Sequence, residues 1–176
     1  MTRRPSHPLV SLAAHAIAVY LADRRVLEPP AELYEAWPEA LRPAGVFVCL
    51  KHEGRLRGCI GTIEPLHDTV AIEVVRNAIG AATRDPRFDP VQTYELTDLS
   101  IAIDILGPCE PVPGLEALDP ARYGLMLKSG AQRSVLLPSL EGINSVMEQV
   151  AAARAKAGLA PDAPVELFRF TVQRFS

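Results

Sequence analysis

The sequence predicts an α+β fold in which helices pack on a mixed, largely antiparallel sheet, and three observations support this class. Two pairs of strand-like segments flank glycine-containing turns at Gly54 and Gly130, which is the pattern of β-hairpins. Several longer segments carry apolar residues at helical spacing. Strands and helices are interspersed without a βαβ alternation, which favours α+β over α/β.

The first part of the chain is predicted to form one long helix and then an irregular stretch. Over 9–21 the apolar residues recur at helical spacing, and Pro8 suits the first turn of a helix. Four prolines follow between positions 29 and 43 and leave room for one short helix over 31–36. Trp37 is expected to pack this stretch against the protein.

The first hairpin has two possible registers. An apolar strand over 46–50 turns at Glu53-Gly54 and returns over 55–62. A two-residue loop places Cys59 opposite Val48, but glutamate poorly suits the positive φ of a type I′ turn. A three-residue loop with Gly54 in a bulge places Cys49 opposite Cys59. The sequence leaves both registers open.

The later elements follow from periodicity and from capping residues. The helix over 68–83 should end at Asp85, since a residue before proline avoids the helical region. Ser145 and Glu148 form a capping box for a helix that Gly158 ends. The strands are predicted over 99–105, 123–128, 133–137 and 168–172.

Composition and charge exclude several classes of protein. A chain of 176 residues with 48% hydrophobic and 22% charged residues suits one globular domain. A net charge of -3 gives no basic footprint for nucleic acid or an anionic membrane. The basic segment 1–5 and the apolar stretch after it lack the pattern of a signal peptide, so a cytoplasmic location is expected.

The cysteines bear on redox state and on metals. Cys49, Cys59 and Cys109 are odd in number and lack the spacing of metal ligands. We therefore expect reduced thiols, with no disulfide framework, no metal and no cofactor.

Residues 56–61, Leu-Arg-Gly-Cys-Ile-Gly, are the most unusual segment of the chain. Together with Asp-Pro-Arg-Phe at 85–88, Glu-Leu at 95–96 and Leu-Leu-Pro at 136–138, they resemble the AMMECR-type domain family. The match is to its prokaryotic branch, called AmmeMemoRadiSam system protein A. The resemblance makes residues 1–176 a single AMMECR-type domain and implies an α+β fold with two lobes. It also implies partners, namely a Memo-like protein and a radical S-adenosylmethionine protein, without naming a reaction.

Cys59 is the sharpest candidate for a catalytic residue. Period two along the strand places it on one face with Arg57 and Gly61, and a nearby cation lowers the pKa of a thiol. Gly58 and Gly61 leave backbone open to a ligand. A nucleophilic cysteine needs a base, and His67 is the histidine nearest to the end of this strand. The alternative is that Cys59 is a small buried hydrophobic residue and the glycines permit a bulge or close packing.

Asp85 and Arg87 flank Pro86 in a predicted turn and are candidates for ligand or partner binding. Arginine offers a bidentate fork for an anion. The structural alternative is that Asp85 accepts hydrogen bonds from backbone N–H groups and pairs with Arg87. Glu95 could neutralise one of the arginines.

Two functions remain in competition. In the first, the chain is a binding or accessory component whose ligand the sequence does not identify, and the chemistry belongs to its partner proteins. In the second, it is a cysteine-dependent enzyme that uses Cys59 with Arg57 in a cleft. The absence of a paired base in the sequence pattern favours binding.

Overall fold

Helices and strands are interspersed along the chain, and the strands form two four-stranded sheets. This arrangement confirms the α+β class. The computed structural model describes residues 7–176. The basic segment 1–5, on which part of the signal-peptide argument rests, lies outside these residues. The helices are α1 (Pro8–Asp23), α2 (Ala31–Ala36), α3 (Val70–Thr83) and α4 (Val146–Lys156). The strands are β1 (Val46–His52), β2 (Arg55–Gly61), β3 (Leu99–Leu106), β4 (Glu110–Pro111), β5 (Gly124–Ser129), β6 (Gln132–Leu136), β7 (Glu166–Phe170) and β8 (Val172–Phe175).

The chain divides into two compact units. The first contains the described residues up to Ile105 together with Gln173–Ser176, and the second contains Leu106–Val172. The first sheet has the strand order β2-β1-β3-β8 and the second β4-β7-β5-β6. No helix within 7–176 is long and apolar enough to cross a membrane.

The core of the first unit lies between helices α1 and α3 and one face of the first sheet. Val46, Val48 and Leu50 alternate along β1 and are fully buried against this core. The hydroxyl of Thr69 accepts a hydrogen bond from the N–H of Ile72, so α3 begins at Val70, two residues after the predicted start at position 68. These contacts leave β2 as an edge strand of the sheet.

Trp37 packs the proline-rich stretch as expected. Its ring meets those of His7 and Phe175 edge to face, at centroid distances of 5.4 and 5.7 Å. Desolvation lowers the pKa of His7 within this cluster.

The second unit confirms the predicted hairpin and helix cap. Strands β5 and β6 pair across Gly130, whose φ of 58° requires the left-handed region. Ser145 and Glu148 form the predicted capping box at the start of α4. Leu125, Leu127 and Ala153 are at the centre of this unit's core.

The prediction of a single strand over 168–172 is wrong, because Thr171 separates two strands, β7 and β8. Strand β7 pairs with β4 and β5 in the second sheet, whereas β8 belongs to the first sheet. Arg174 on β8 forms a bidentate ion pair with the buried carboxylate of Asp104 at 2.6 and 2.7 Å. The two strands share one apolar pattern, so periodicity alone did not separate them.

Candidate functional site

The first hairpin combines features of the two predicted registers. Its loop has two residues, with φ of 49° at Glu53 and 78° at Gly54, so the glutamate adopts the positive φ for which this residue type is poorly suited. Lys51 on β1 pairs with Leu56 on β2, and the residue before it, Leu50, pairs with Gly58. Arg57 is therefore an extra residue on β2, which forms a β-bulge. This bulge brings Cys59 opposite Cys49.

Glycine at position 58 is required by close packing of β2 on helix α3. A Cβ atom there would collide with the carbonyl oxygen of Ala81. Gly58 therefore faces the helix, and its neighbour Cys59 faces the opposite side of the sheet. Gly61 lies on that opposite side as well, where a Cβ atom would collide with the ring of Phe47.

Asp85 and Arg87 bind the exposed backbone edge of β2 at Cys59. The N–H of Cys59 donates to the Asp85 carboxylate at 2.8 Å. The Arg87 guanidinium donates to the same carboxylate through Nε and Nη2, at 3.0 and 2.7 Å, and lies 3.5 Å from the Cys59 carbonyl oxygen. The two predicted segments, 56–61 and 85–88, thus meet at one residue.

Burial differs sharply within this ion pair. The side chain of Asp85 is 2% exposed and that of Arg87 is 55% exposed. Hydrogen bonds from the Arg87 guanidinium, with those from the N–H groups of Cys59 and Arg87, hold the pKa of Asp85 far below its ordinary value. The same pairing raises the pKa of Arg87. The result is a fixed negative charge beneath an exposed guanidinium.

Arg57 pairs with Glu95, which the sequence suggested only as a possible neutraliser of some arginine. The guanidinium donates to both Glu95 oxygens, at 2.7 and 3.0 Å, and to the backbone carbonyl of Asp89 at 2.9 Å. Glu95 also accepts from the N–H of Gln92 and so caps a 3₁₀ helix, Thr93–Asp98. The Arg57 hydrogen bond is the main reason that the pKa of Glu95 is lowered, and His52 contributes a smaller electrostatic effect.

Cys49 and Cys59 are joined by a disulfide, so the expectation of reduced thiols is wrong for this pair. Their Cα atoms are 4.1 Å apart across the two strands. The odd number of cysteines and the compartment argument pointed away from a disulfide, but the bulge at Arg57 brings these two side chains together. Cys109 is exposed and lies outside the disulfide.

The predicted base, His67, contacts a different part of the first unit. Its backbone N–H donates to the buried carboxylate of Glu73 at 2.9 Å, as does that of Leu66 at 3.1 Å. The hydroxyl of Thr62 donates to the same carboxylate at 2.7 Å. Among the described residues no hydrogen bond joins the His67 imidazole to Cys59. Glu73 therefore fixes the loop between β2 and α3, a role that sequence reasoning missed.

A groove of about 340 Å³ in the first unit was also missed, since its residues come from distant segments. It lies between α1, the 3₁₀ helix and β3, and its walls are mainly apolar. The Glu95–Arg57 ion pair holds the 3₁₀ helix that supplies Leu96 and Thr97 to this groove. Within 7–176 no group of three or more His, Cys, Asp and Glu side chains is arranged to hold a metal ion.

The chain is similar to a protein family and to several known proteins. The family model described as AMMECR1 matches residues 10–175. A protein of Thermotoga maritima is 46% identical over 173 residues, covering 96% of this chain and 97% of the relative. A protein of Clostridium acetobutylicum is 39% identical over 98% of this chain, which corresponds to only 36% of that longer relative. The crystal structure of the uncharacterized protein PH0010 from Pyrococcus horikoshii matches with a TM-score of 0.87 and 32% identity, covering 94% of this chain and 88% of that one.

Proposed function

Since the chain belongs to the AMMECR1 family, we propose that it is a binding or accessory component of a multi-protein modification system. Its partners are a Memo-like protein and a radical S-adenosylmethionine protein, and the metal and radical chemistry belongs to them. The Clostridium acetobutylicum relative supports a role beside other proteins, because there the corresponding sequence is 36% of a longer chain.

The binding surface is the edge of β2 with the turn that covers it, which we call the β2-edge surface: Arg57, Cys59, Gly61 and Arg87, with the buried carboxylate of Asp85 beneath Arg87. One observation carries the proposal. Arg87 is 55% exposed, yet its Nε and Nη2 atoms are fixed on the buried Asp85 carboxylate. A guanidinium held in one position loses little conformational entropy when it binds, which favours recognition of an anionic group.

The chemistry of the partner group follows from the donors that remain. Within the described chain, Nη1 of Arg87 makes no hydrogen bond, and a guanidinium nitrogen of this kind carries two N–H groups. A carboxylate or phosphate on the partner's surface accepts from such donors in a charge-assisted hydrogen bond. The proposed contact is therefore between Arg87 and an acidic group of the partner.

The contacts of Cys59 and Arg57 favour binding over cysteine catalysis. Covalent catalysis needs a thiolate with a base in reach, whereas the sulfur of Cys59 is bonded to Cys49. Arg57 has its guanidinium hydrogen-bonded to Glu95 and to the carbonyl of Asp89. The enzyme alternative has a direct test, since Cys59→Ser should abolish turnover of the reconstituted system if Cys59 is the nucleophile.

The binding proposal is tested by measuring affinity for the Memo-like protein and for the radical S-adenosylmethionine protein by calorimetry. For the partner that contacts this surface, Arg87→Ala should weaken binding about tenfold or more, which is a loss of about 1.4 kcal/mol. Arg87→Lys keeps the positive charge but loses the bidentate geometry of the guanidinium. Its affinity for the partner should lie between those of Arg87→Ala and the wild type.

The matched control is Arg25→Ala, which removes an exposed arginine outside the β2-edge surface. It should bind as tightly as the wild type. Far-ultraviolet circular dichroism establishes that each variant is folded. Affinities of Arg87→Ala within twofold of wild type for both partners would contradict the proposal.

A further inference from the structure

We propose that Cys49 and Cys59 form a reversible dithiol–disulfide couple that exchanges electrons with dithiols while the protein stays folded. The proposal goes beyond the binding role and does not depend on it. Its basis is the disulfide across β1 and β2, at directly opposed positions of the hairpin.

The two cysteines are held opposite each other by contacts that do not involve their sulfur atoms. On β1, Cys49 lies between Val48 and Leu50, which are both 0% exposed in the core. On β2, the N–H of Cys59 is bound by the Asp85 carboxylate at 2.8 Å. The hairpin is therefore fixed without the disulfide, and the thiols stay adjacent when it opens.

Both cysteines are within reach of a small reagent. Each is half-buried, in contrast to the fully buried residues that alternate with Cys49 along β1. Cys59 faces away from α3, because its neighbour Gly58 is in contact with that helix. Opening the disulfide thus exposes no residue of the α1–α3 core.

The exchange transfers two electrons from an external dithiol. A thiolate of the dithiol attacks one sulfur of the pair, the S–S bond breaks, and the other sulfur leaves as a thiolate. The second thiolate of the reductant attacks the mixed disulfide and releases the first cysteine. Cys49 and Cys59 end as two thiols after proton uptake, and the reductant ends as its own disulfide. An external disulfide reverses these steps.

The experiment equilibrates the folded wild-type chain with dithiothreitol and its oxidised form at a series of ratios. Alkylation after an acid quench, followed by peptide mass spectrometry, reports each cysteine. We expect the modified fraction of Cys49 and Cys59 to rise together from near zero to near complete as the buffer becomes reducing. Circular dichroism and Trp37 fluorescence should stay unchanged throughout, and Cys109 should not follow this transition.

Two results would overturn the proposal. If Cys49 and Cys59 are alkylated even in the fully oxidised buffer, the pair does not form a disulfide. If both cysteines stay unmodified at every dithiothreitol ratio unless denaturant is present during the equilibration, the disulfide is structural. Cys49→Ser supplies a matched variant, in which Cys59 should lose its dependence on the dithiothreitol ratio. The wild-type measurement decides the question even where that variant fails to fold.

Discussion

Substitution of Asp85 by alanine should destabilise the first unit by about 3 kcal/mol. In Asp85→Ala, the Cys59 N–H loses a charge-assisted hydrogen bond of 2.8 Å to a carboxylate that is only 2% exposed, which costs roughly 1.5–3 kcal/mol. The N–H of Arg87 also loses its acceptor, at roughly 0.5–1 kcal/mol, because water can replace it at an exposed residue. Loss of the ion pair with Arg87 adds little to the free-energy cost, because this side chain is 55% exposed and its guanidinium is hydrated in the variant. Asp85→Asn keeps one acceptor and should cost about half as much.

Urea unfolding followed by tryptophan fluorescence measures this loss, because Trp37 is the only tryptophan and belongs to the first unit. For a chain of this size, 3 kcal/mol corresponds to a fall in Tm of roughly 6–12 °C. Asp89→Asn is the control, since this exposed residue follows in the same turn and uses its backbone carbonyl to bind Arg57. An Asp85→Ala protein within about 0.5 kcal/mol of wild type would refute the assignment of Asp85 to the edge of β2.

Three further predictions concern stability. Gly58→Ala should cost about 2 kcal/mol or more in urea unfolding, because its Cβ atom collides with helix backbone, whereas Gly54→Asn at an open turn should cost less than about 1 kcal/mol. Glu95→Gln should lower the free energy of unfolding by about 1–2 kcal/mol at neutral pH. The folded-state pKa of Glu95 lies below its ordinary value of 4.5, so its stabilisation is complete above that value and lost as the pH falls. The difference between Glu95→Gln and wild type should therefore narrow on acidification, and a constant difference would contradict the ion pair. Ser145→Ala should cost about 1 kcal/mol in hydrogen-exchange protection of α4, and unchanged protection would exclude the cap.

Periodicity and capping residues predicted most of the fold. The predicted helix over 68–83 starts two residues before the observed α3, because Thr69 is the N-cap residue and precedes the first helical turn. The capping box at Ser145 and the hairpin around Gly130 are local patterns that tertiary contacts left unchanged. Such features depend on residues close together in the sequence, so a single sequence suffices to find them.

The interior of the candidate site was harder to predict, because its geometry depends on one inserted residue and on distant partners. A two-residue loop alone would place Cys59 opposite Val48. The bulge at Arg57 shifts the register by one residue, so that Cys59 lies opposite Cys49 and the disulfide can form. The Arg57–Glu95 pair joins residues 38 positions apart, and nothing in the spacing specifies it. The backbone hydrogen bonds of Asp85, by contrast, are predictable from the sequence, because an aspartate in a turn often accepts hydrogen bonds from nearby backbone N–H groups.

Nuclear magnetic resonance is the most direct test of the proposal that the β2-edge surface binds a partner protein. The ¹⁵N-labelled chain is titrated in turn with the unlabelled Memo-like protein and radical S-adenosylmethionine protein. With one of them, we expect the largest chemical-shift changes at the amides of 57–61, Asp85, Arg87 and Phe88 and at the Arg87 Nε–H. Binding that shifts other amides while the Arg87 side chain and these segments stay unchanged would contradict it.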